Sequence, residues 1–431
     1  MRFWLGVLGS WDECMRIAFY GNIANNFYQI VKALRVQSQV DAHLYLDTRD
    51  PMGMRPESDV PALRNNYPDW MHEADYLTRM SMLFPWRSKL VKELEAYDVV
   101  VVSYLGPMFA QFIRKPAFFF VTGSDLTLLP FPREFGFLYQ SFKSKVTAWV
   151  KGFWLRRGIR AMAAIWTQPY APYVHALQKL RIDESRIARI YFPLTIDTNR
   201  FKFDENARYV QDKNMQRIVS SYDFVVFHPS RIMMRDQPQL KASGQWKRNE
   251  LLFRGFGRFI QQSGAQRPVL VMPDRTQSND LALGKEMIHE MKLDQHVLWI
   301  KPPRPEGFTR DELIPFYSVA DVVADDFGIG WFGSIVLEAS AVGCPVVTYV
   351  DENVMSRLYP WHPLLSADTE EKIAEHLTVL YRDPTRRREI GQKGREWIQE
   401  FHSEESASAI YIKNLTQLCE DLTRNRSPLL K

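Results

Sequence analysis

Cysteine is scarce in this chain. There are three in 431 residues, Cys14, Cys344 and Cys419, far apart and odd in number. That excludes a disulfide framework as the source of stability and suits a reducing compartment. Long apolar runs are missing as well, and no stretch approaches the ~20 residues that span a bilayer. The N-terminal Met-Arg-Phe-Trp-Leu-Gly-Val-Leu-Gly reads as a short buried strand, without the longer apolar region and small-residue cleavage site of a signal peptide. No Cys/His cluster has zinc spacing, and the nine histidines are scattered. Net charge is only +5 and dispersed, too mild for nucleic-acid binding. The expected setting is the cytoplasm, with no metal, no cofactor and no nucleic acid. Repeats and low-complexity tracts are absent, and the ordinary share of apolar residues is enough for two or three globular cores.

What is present is an alternation of strand and helix signals. Phe3–Leu8, Ala42–Leu46, Val99–Tyr104, Ala117–Val121, Ala164–Gln168 and Ile190–Phe192 read as strands. Phe27, Ile30, Val31 and Leu34 recur at the spacing of one helix face, and a second helix lies around Tyr173–Leu180. A polar stretch from Lys202 to Arg217 has little periodicity and reads as a linker, which puts a domain boundary near 200. The pattern then restarts, with strands at Phe224–Phe227, Pro268–Met272, Val297–Ile300, Val322–Ala324 and Pro345–Tyr349 and helices between them. Two successive βαβα runs predict an α/β protein of two Rossmann-like, doubly wound parallel-sheet domains, 1–200 and 201–431, facing across a cleft. The last helix is a candidate to cross back to the first domain.

One segment carries the most chemistry. Asp326-Phe-Gly-Ile-Gly330-Trp-Phe-Gly333-Ser334-Ile335-Val-Leu-Glu338 is a glycine-rich loop running into a helix, which stops at Gly343. Such a loop lets backbone N–H groups approach a ligand, and the helix start favours an anion. Glu338, about one turn in, is placed to accept hydrogen bonds from vicinal hydroxyls. Together these groups fit a ribose diphosphate. The same pattern also serves an ordinary αβ unit whose glycines only pack.

At this point the residues resemble a family. Trp331-Phe-Gly with Leu337-Glu338-Ala, followed by Gly343-Cys-Pro345-Val-Val, is similar to the glutamate-motif region of GT4-type retaining glycosyltransferases. Phe227-His-Pro-Ser-Arg231 resembles that family's arginine loop, and Lys247-Arg-Asn-Glu its diphosphate-binding lysine. Tyr317-Ser-Val-Ala-Asp-Val-Val-Ala is similar to its lead-in to the glutamate motif. In the first half, Tyr20-Gly21-Asn22 resembles the loop before the first helix, Val121-Thr122-Gly-Ser-Asp125 the fourth-strand exit, and Phe192–Phe201 the crossing between domains. The resemblance implies a GT-B fold. It also implies a metal-independent hexosyltransferase that moves a sugar from a UDP- or GDP-sugar to a glycan or glycolipid acceptor with retention. Arg231 and Lys247 are then the phosphate cations, and Asp125 and Thr122 line the acceptor or sugar site. Gly333, Ser334, Ile335, Glu338, Gly21 and Asn22 are donor contacts.

There are departures from the family pattern. The family carries a first glutamate eight positions before the second, where this chain has Gly330, which leaves Asp325 and Asp326 as candidate substitutes. Arg231 and Lys247 are separated by an insertion, and Thr122 stands where many members have histidine. Two alternatives stay open: a nucleotide-sugar 2-epimerase of the same fold, and a degenerate sugar-nucleotide-binding protein without turnover.

Residues 131–160 stand apart from the rest. They hold seven Lys/Arg, one acid, Glu134, and a dense set of aromatics. Leu138, Phe142, Val146, Trp149 and Phe153 form one helical stripe, with Lys143 and Lys151 off it and Lys145 and Arg156 near it. The pattern fits a helix lying on an anionic membrane at the inner face of the cell membrane; the alternative is a helix packed on its own domain with its charges solvated. The membrane reading points to a lipid or lipid-linked acceptor.

Overall fold

Runs of β-branched and aromatic residues with no polar alternation set the two sheets. Val99–Val102 is four valines and Ala117–Phe120 is Ala-Phe-Phe-Phe, and every residue of both is buried. A strand apolar on both faces belongs inside a parallel sheet covered by helices on each side. The computed structural model describes residues 15–135, 141–188, 192–207, 213–242, 244–275, 280–304 and 307–426. The strand expected at Phe3–Leu8 lies outside these residues. So do Cys14, Phe137, Leu138, Tyr139 and all of Ile190–Phe192 except Phe192.

The chain divides into two compact units, Met1–Thr195 with Ala407–Lys431, and Ile196–Ser406. The first contains β1 (Arg16–Tyr20), β2 (Asp41–Asp47), β3 (Met71–Ala74), β4 (Val99–Val102), β5 (Ala117–Phe120), β6 (Ala164–Trp166) and β7 (Ile187–Ala188), in the order β3-β2-β1-β4-β5-β6-β7. The second contains β8 (Phe224–Phe227), β9 (Pro268–Pro273), β10 (Val297–Ile300), β11 (Val322–Ala324), β12 (Val346–Thr348) and β13 (Leu365–Ser366), in the order β10-β9-β8-β11-β12-β13. Neighbouring strands pair in parallel, as in Ile17↔Val99 and Val322↔Val226. In each sheet the strand order reverses once, between β1 and β4 and between β8 and β11. Doubly wound folds open their ligand crevice at such a switch point.

Both faces of the first sheet are covered. One core gathers Tyr20, Val100, Phe119, Leu155 and Ile159. The other gathers Phe19, Phe27, Val101, Phe118 and Trp166, and is sealed by Tyr411, Leu415 and Leu418 of the last helix, Glu404–Arg426. That helix begins in the second unit and ends in the first. Trp166 stacks on Phe192 at 3.7 Å, and Phe192 meets Tyr411 at 5.0 Å.

The strands at Arg16–Tyr20 and Met71–Ala74 carry too little periodicity to be read from sequence. Part of the expected linker is a helix, Lys213–Ser221.

The helix Phe142–Ala161 packs against the short helix Pro107–Ala110 with backbone against backbone. A Cβ at Gly158 would stand 1.9 Å from the Pro107 carbonyl oxygen. Gly158→Ala should therefore cost ~2 kcal/mol or more, measured as a lowered urea midpoint. An unchanged midpoint would mean that the helix does not pack this way.

Candidate functional site

The second unit builds its polar site at the β8/β11 switch point. β8 delivers His228, Ser230 and Arg231 just past its end, and β11 delivers Asp325 and Asp326. The Lys247 Nζ donates to Asp326 Oδ2 at 2.9 Å and lies 3.4 Å from Ser230 Oγ. Ser230 in turn donates to Asp325. Burial alone would push the Lys247 ammonium down, but Asp326 and Asp325 hold it above its ordinary value. Arg231 is exposed, donates to Gln245 Oε1 at 3.3 Å and lies within electrostatic reach of Lys247. The structure thus brings Arg231 and Lys247 together across the insertion between them.

Beneath them sits a buried triad that the sequence reading missed. His228 Nδ1 donates to the Ala324 carbonyl at 2.7 Å, and Asn249 Nδ2 donates to His228 Nε2 at 2.8 Å. These partners fix the neutral imidazole, and burial pushes its pKa down to about 4. Asn249 Oδ1 also accepts from the Met233 N–H at 2.8 Å. A histidine directly after a strand and an asparagine opening a helix were both visible in sequence, but not their pairing.

Asp325 and Asp326 are both turned into the protein. Asp326 Oδ1 accepts from the Gly328 N–H at 2.9 Å and the Ile329 N–H at 3.1 Å, while its other oxygen holds Lys247. Asp326 therefore shapes the glycine loop and neutralises the buried lysine, and Asp325 holds Ser230. Gly330 is fixed too. Its φ is +76°, it forms a parallel bridge with Val350, and its carbonyl accepts from the Asp351 N–H at 2.9 Å. A Cβ there would lie 3.2 Å from the Tyr349 ring.

The loop feeds the helix Ser334–Val342, whose N-cap Gly333 is exposed and supplies no side-chain cap. Ser334 and Ile335 are half-buried at this start. Uncapped N–H groups at a helix start attract anions. Glu338 is 2% exposed. Tyr317 Oη donates to its Oε2 at 3.0 Å, and Arg310 Nε lies 3.2 Å from its Oε1. Arg310 also reaches Ser334 Oγ at 3.5 Å. The guanidinium therefore bridges the carboxylate and the helix start.

Arg275, just past β9, is the other cation that the sequence did not single out. Burial and the neighbouring Arg231 push its pKa down. Arg275 follows a strand, which was a usable signal. Arg310 opens the helix that runs into Tyr317-Ser-Val but lies outside the motif, and only the fold brings it to Glu338.

In the first unit the loop residues are held by their own surroundings. Gly21 has φ +99°, and a Cβ there would lie 2.4 Å from the Ser103 carbonyl oxygen, so the β1 and β4 exits touch through it. Asn22 is fully buried. Its Nδ2 donates to Asn25 Oδ1 and the Met54 carbonyl, both at 2.8 Å, and its Oδ1 accepts from the Tyr28 N–H at 2.9 Å. The Asn22 side chain thus fixes the loop from within and is not itself presented outward. Asp125 is also fully buried. It accepts from the N–H groups of Tyr104, Thr122 and Gly123 and from Thr122 Oγ1 at 2.8 Å. Burial raises its pKa despite these bonds. Asp125 lies inside the short helix Ser124–Thr127 and reaches back to the loop, with Gly123 in the N-cap place.

Among the described residues no helix is long and apolar enough to cross a membrane, and no group of three or more His, Cys, Asp or Glu is placed to hold a metal. No protein-family model matches this sequence, and no curated protein matches it. Solved structures do match in fold. The Anabaena protein HepE in complex with UDP superposes with a TM-score of 0.62 at 14% identity, covering 94% of this chain and 100% of that one. Sucrose-phosphate synthase from Thermosynechococcus elongatus gives 0.60 at 15%, covering 95% and 100%. A glycosyltransferase from Rickettsia africae gives 0.61 at 13%, covering 95% and 99%. The chain therefore has the GT-B fold, with two parallel sheets each flanked by helices.

The neutral histidine makes the second unit acid-sensitive. Its folded pKa lies below the unfolded value of ~6.5, so the unfolded chain takes up the proton first. Stability contributed by this group is complete above about pH 6.5 and declines as pH falls towards about 4. His228→Asn should lower stability at neutral pH, yet lose on the order of 2 kcal/mol less than the parent between about pH 7 and about pH 4.5. Equal losses in urea titrations would show that His228 does not titrate this way.

Proposed function

We propose that this protein is a retaining glycosyltransferase that moves a sugar from a UDP- or GDP-sugar to an acceptor held by its N-terminal unit. The observation that carries this reading is the buried Glu338 with Arg310 at one uncapped helix start, together with a second group of cations, Arg231, Lys247 and Arg275, gathered past the strand ends of the same unit. Anionic diphosphate and vicinal ribose hydroxyls are the ligand groups that such a set complements. The fold agrees, since HepE, of the same fold, has been solved with UDP and with UDP-glucose.

In this reading Glu338 accepts the ribose hydroxyls once they replace Arg310. Arg310, already beside Ser334, then turns to the diphosphate. Arg231 contributes a planar fork and Lys247 a positioned point charge, so the leaving diphosphate is neutralised by side chains and helix N–H groups rather than by a metal ion. The departing phosphate oxygen takes the acceptor's proton on the face the acceptor attacks, which retains configuration without a protein nucleophile. Asp125 and Thr122 keep the β5 exit in shape for the acceptor, and Gly21 brings backbone close to the sugar. The protein works in the cytoplasm, with an anionic membrane surface met through residues 131–160.

Incubation with a panel of nucleotide sugars tests this. Slow hydrolysis with release of the nucleoside diphosphate, undiminished by a chelator, is the expected result. Interconversion of sugars without release would make the protein an epimerase. Binding without turnover, even with acceptors supplied, would make it a sugar-nucleotide-binding protein. Glu338→Gln should weaken UDP or GDP binding about ten- to hundredfold, as expected for lost hydrogen bonds to a charged acceptor. Unchanged affinity by calorimetry would remove Glu338 from the ribose.

A further inference from the structure

The helix Phe142–Ala161 carries six Lys/Arg and no acid, and its faces differ sharply. Ala148, Leu155 and Ile159 are buried against the first unit. Phe142 (83% exposed), Val146, Trp149 (47%) and Phe153 (43%) recur at i, i+4, i+7 and i+11 on the outward face. The apolar surface continues beyond the helix. Phe153 meets Trp154 at 5.0 Å, Trp154 meets Trp86 at 5.7 Å, and Trp86 meets Phe84 at 5.4 Å, with exposed Met80 and Leu83 on the same short helix. A patch of this kind on a monomeric soluble surface marks an interaction site.

One flank of the helix is different. Lys143, Thr147 and Lys151, at i, i+4 and i+8, line a cavity of about 410 Å³ closed on the far side by Tyr104, Leu105 and Leu129. Tyr104 and Leu105 follow β4, so the cavity opens at the carboxyl ends of the strands, where α/β sheets take their ligands. Tyr104 has φ +54°, a strained setting for a bulky residue, and its N–H is one of the three bound by Asp125. No carboxylate among the described residues pairs with Lys143 or Lys151. Burial pushes the Lys151 ammonium down with nothing to offset it. An exposed and a half-buried lysine on one flank, lining the same cavity beside hydroxyls and without an acid, suit an anionic group.

The two faces fit one occupant. A helix lying in a lipid interface with its apolar face towards the acyl chains holds its flanks at the level of the headgroups. We propose that this cavity binds the phosphate headgroup of a membrane lipid, with Lys143 and Lys151 on the phosphate and Phe142, Trp149 and Phe153 among the tails. Resting on the glycosyl-transfer reading, the acceptor is then a phosphate-bearing lipid rather than a free sugar.

Flotation without nucleotide tests the cavity separately from that reading. The vesicles are phosphatidylcholine alone, phosphatidylcholine with phosphatidic acid, and phosphatidylcholine with oleate at matched charge. The protein should bind the phosphatidic acid vesicles best. Lys143→Gln with Lys151→Gln should weaken that binding about thirtyfold and leave binding to oleate vesicles little changed. Trp149→Ser with Phe153→Ser should weaken binding to every vesicle. Equal binding to oleate and phosphatidic acid, or an unaffected lysine variant, overturns the headgroup assignment. Glycerol phosphate bound in calorimetry without any vesicle binding points to a soluble phosphorylated ligand and also overturns it. A dimer of the parent protein that the Trp149/Phe153 variant abolishes means that a second copy covers the patch. Loss of UDP binding leaves the flotation result untouched, and intact UDP binding with no flotation refutes the lipid cavity alone.

Discussion

The buried pair Lys247–Asp326 is the interaction on which the second unit's site depends. Asp326 joins three things at once: the end of β11, the turn of the glycine loop and the ammonium of a lysine from beyond the insertion. The loop is tied to Lys247 a second time, through the Phe327 N–H on the Lys247 carbonyl at 3.1 Å. A charge this deep needs its partner, since an unpaired buried ion is strongly destabilising. The same electrostatic requirement that keeps the lysine charged also aims the loop at the helix start. Removing either partner would disturb backbone as well as charge.

The first unit solves the matching problem with an internal amide and an internal carboxylate that no cation among the described residues faces. Asn22 joins residues on both sides of the β1 exit, and Asp125 gathers N–H groups from the β4 and β5 exits. Both side chains are enclosed by the backbone they organise. Loops at a switch point carry unpaired N–H groups that no sheet satisfies, and an internal amide or carboxylate meets that need. The cost is that these polar residues are not themselves presented to a ligand.

How much of this could be read from the chain follows from how local each signal was. Apolar runs such as Val99–Val102 and the helix pattern of Phe27–Leu34 depend on nearby residues, and they fell close to where the sequence placed them. Short strands such as Met71–Ala74, with one residue buried out of four, owe their existence to the neighbouring strand, so no local pattern marked them. The helix start with Glu338 was legible because loop, helix and carboxylate are contiguous. Arg275 and Arg310 were not, because their relation to Arg231 and Glu338 is made only by strand order. The roles of Asn22 and Asp326 were also out of reach, since a polar residue after a strand looks the same whether it faces inward or outward.

Gly330 has a consequence of a different kind. Its backbone is a left-handed link in a parallel bridge to Val350, pressed against Tyr349. A carboxylate grafted at 330 would start from the wrong Cβ direction and on a strained backbone. Placing an acid at this point would therefore take a re-routed loop, and a single substitution would not suffice. The course of the loop is set here by its main chain, which makes the length of chain between β11 and the helix the quantity that any graft at this point would have to change.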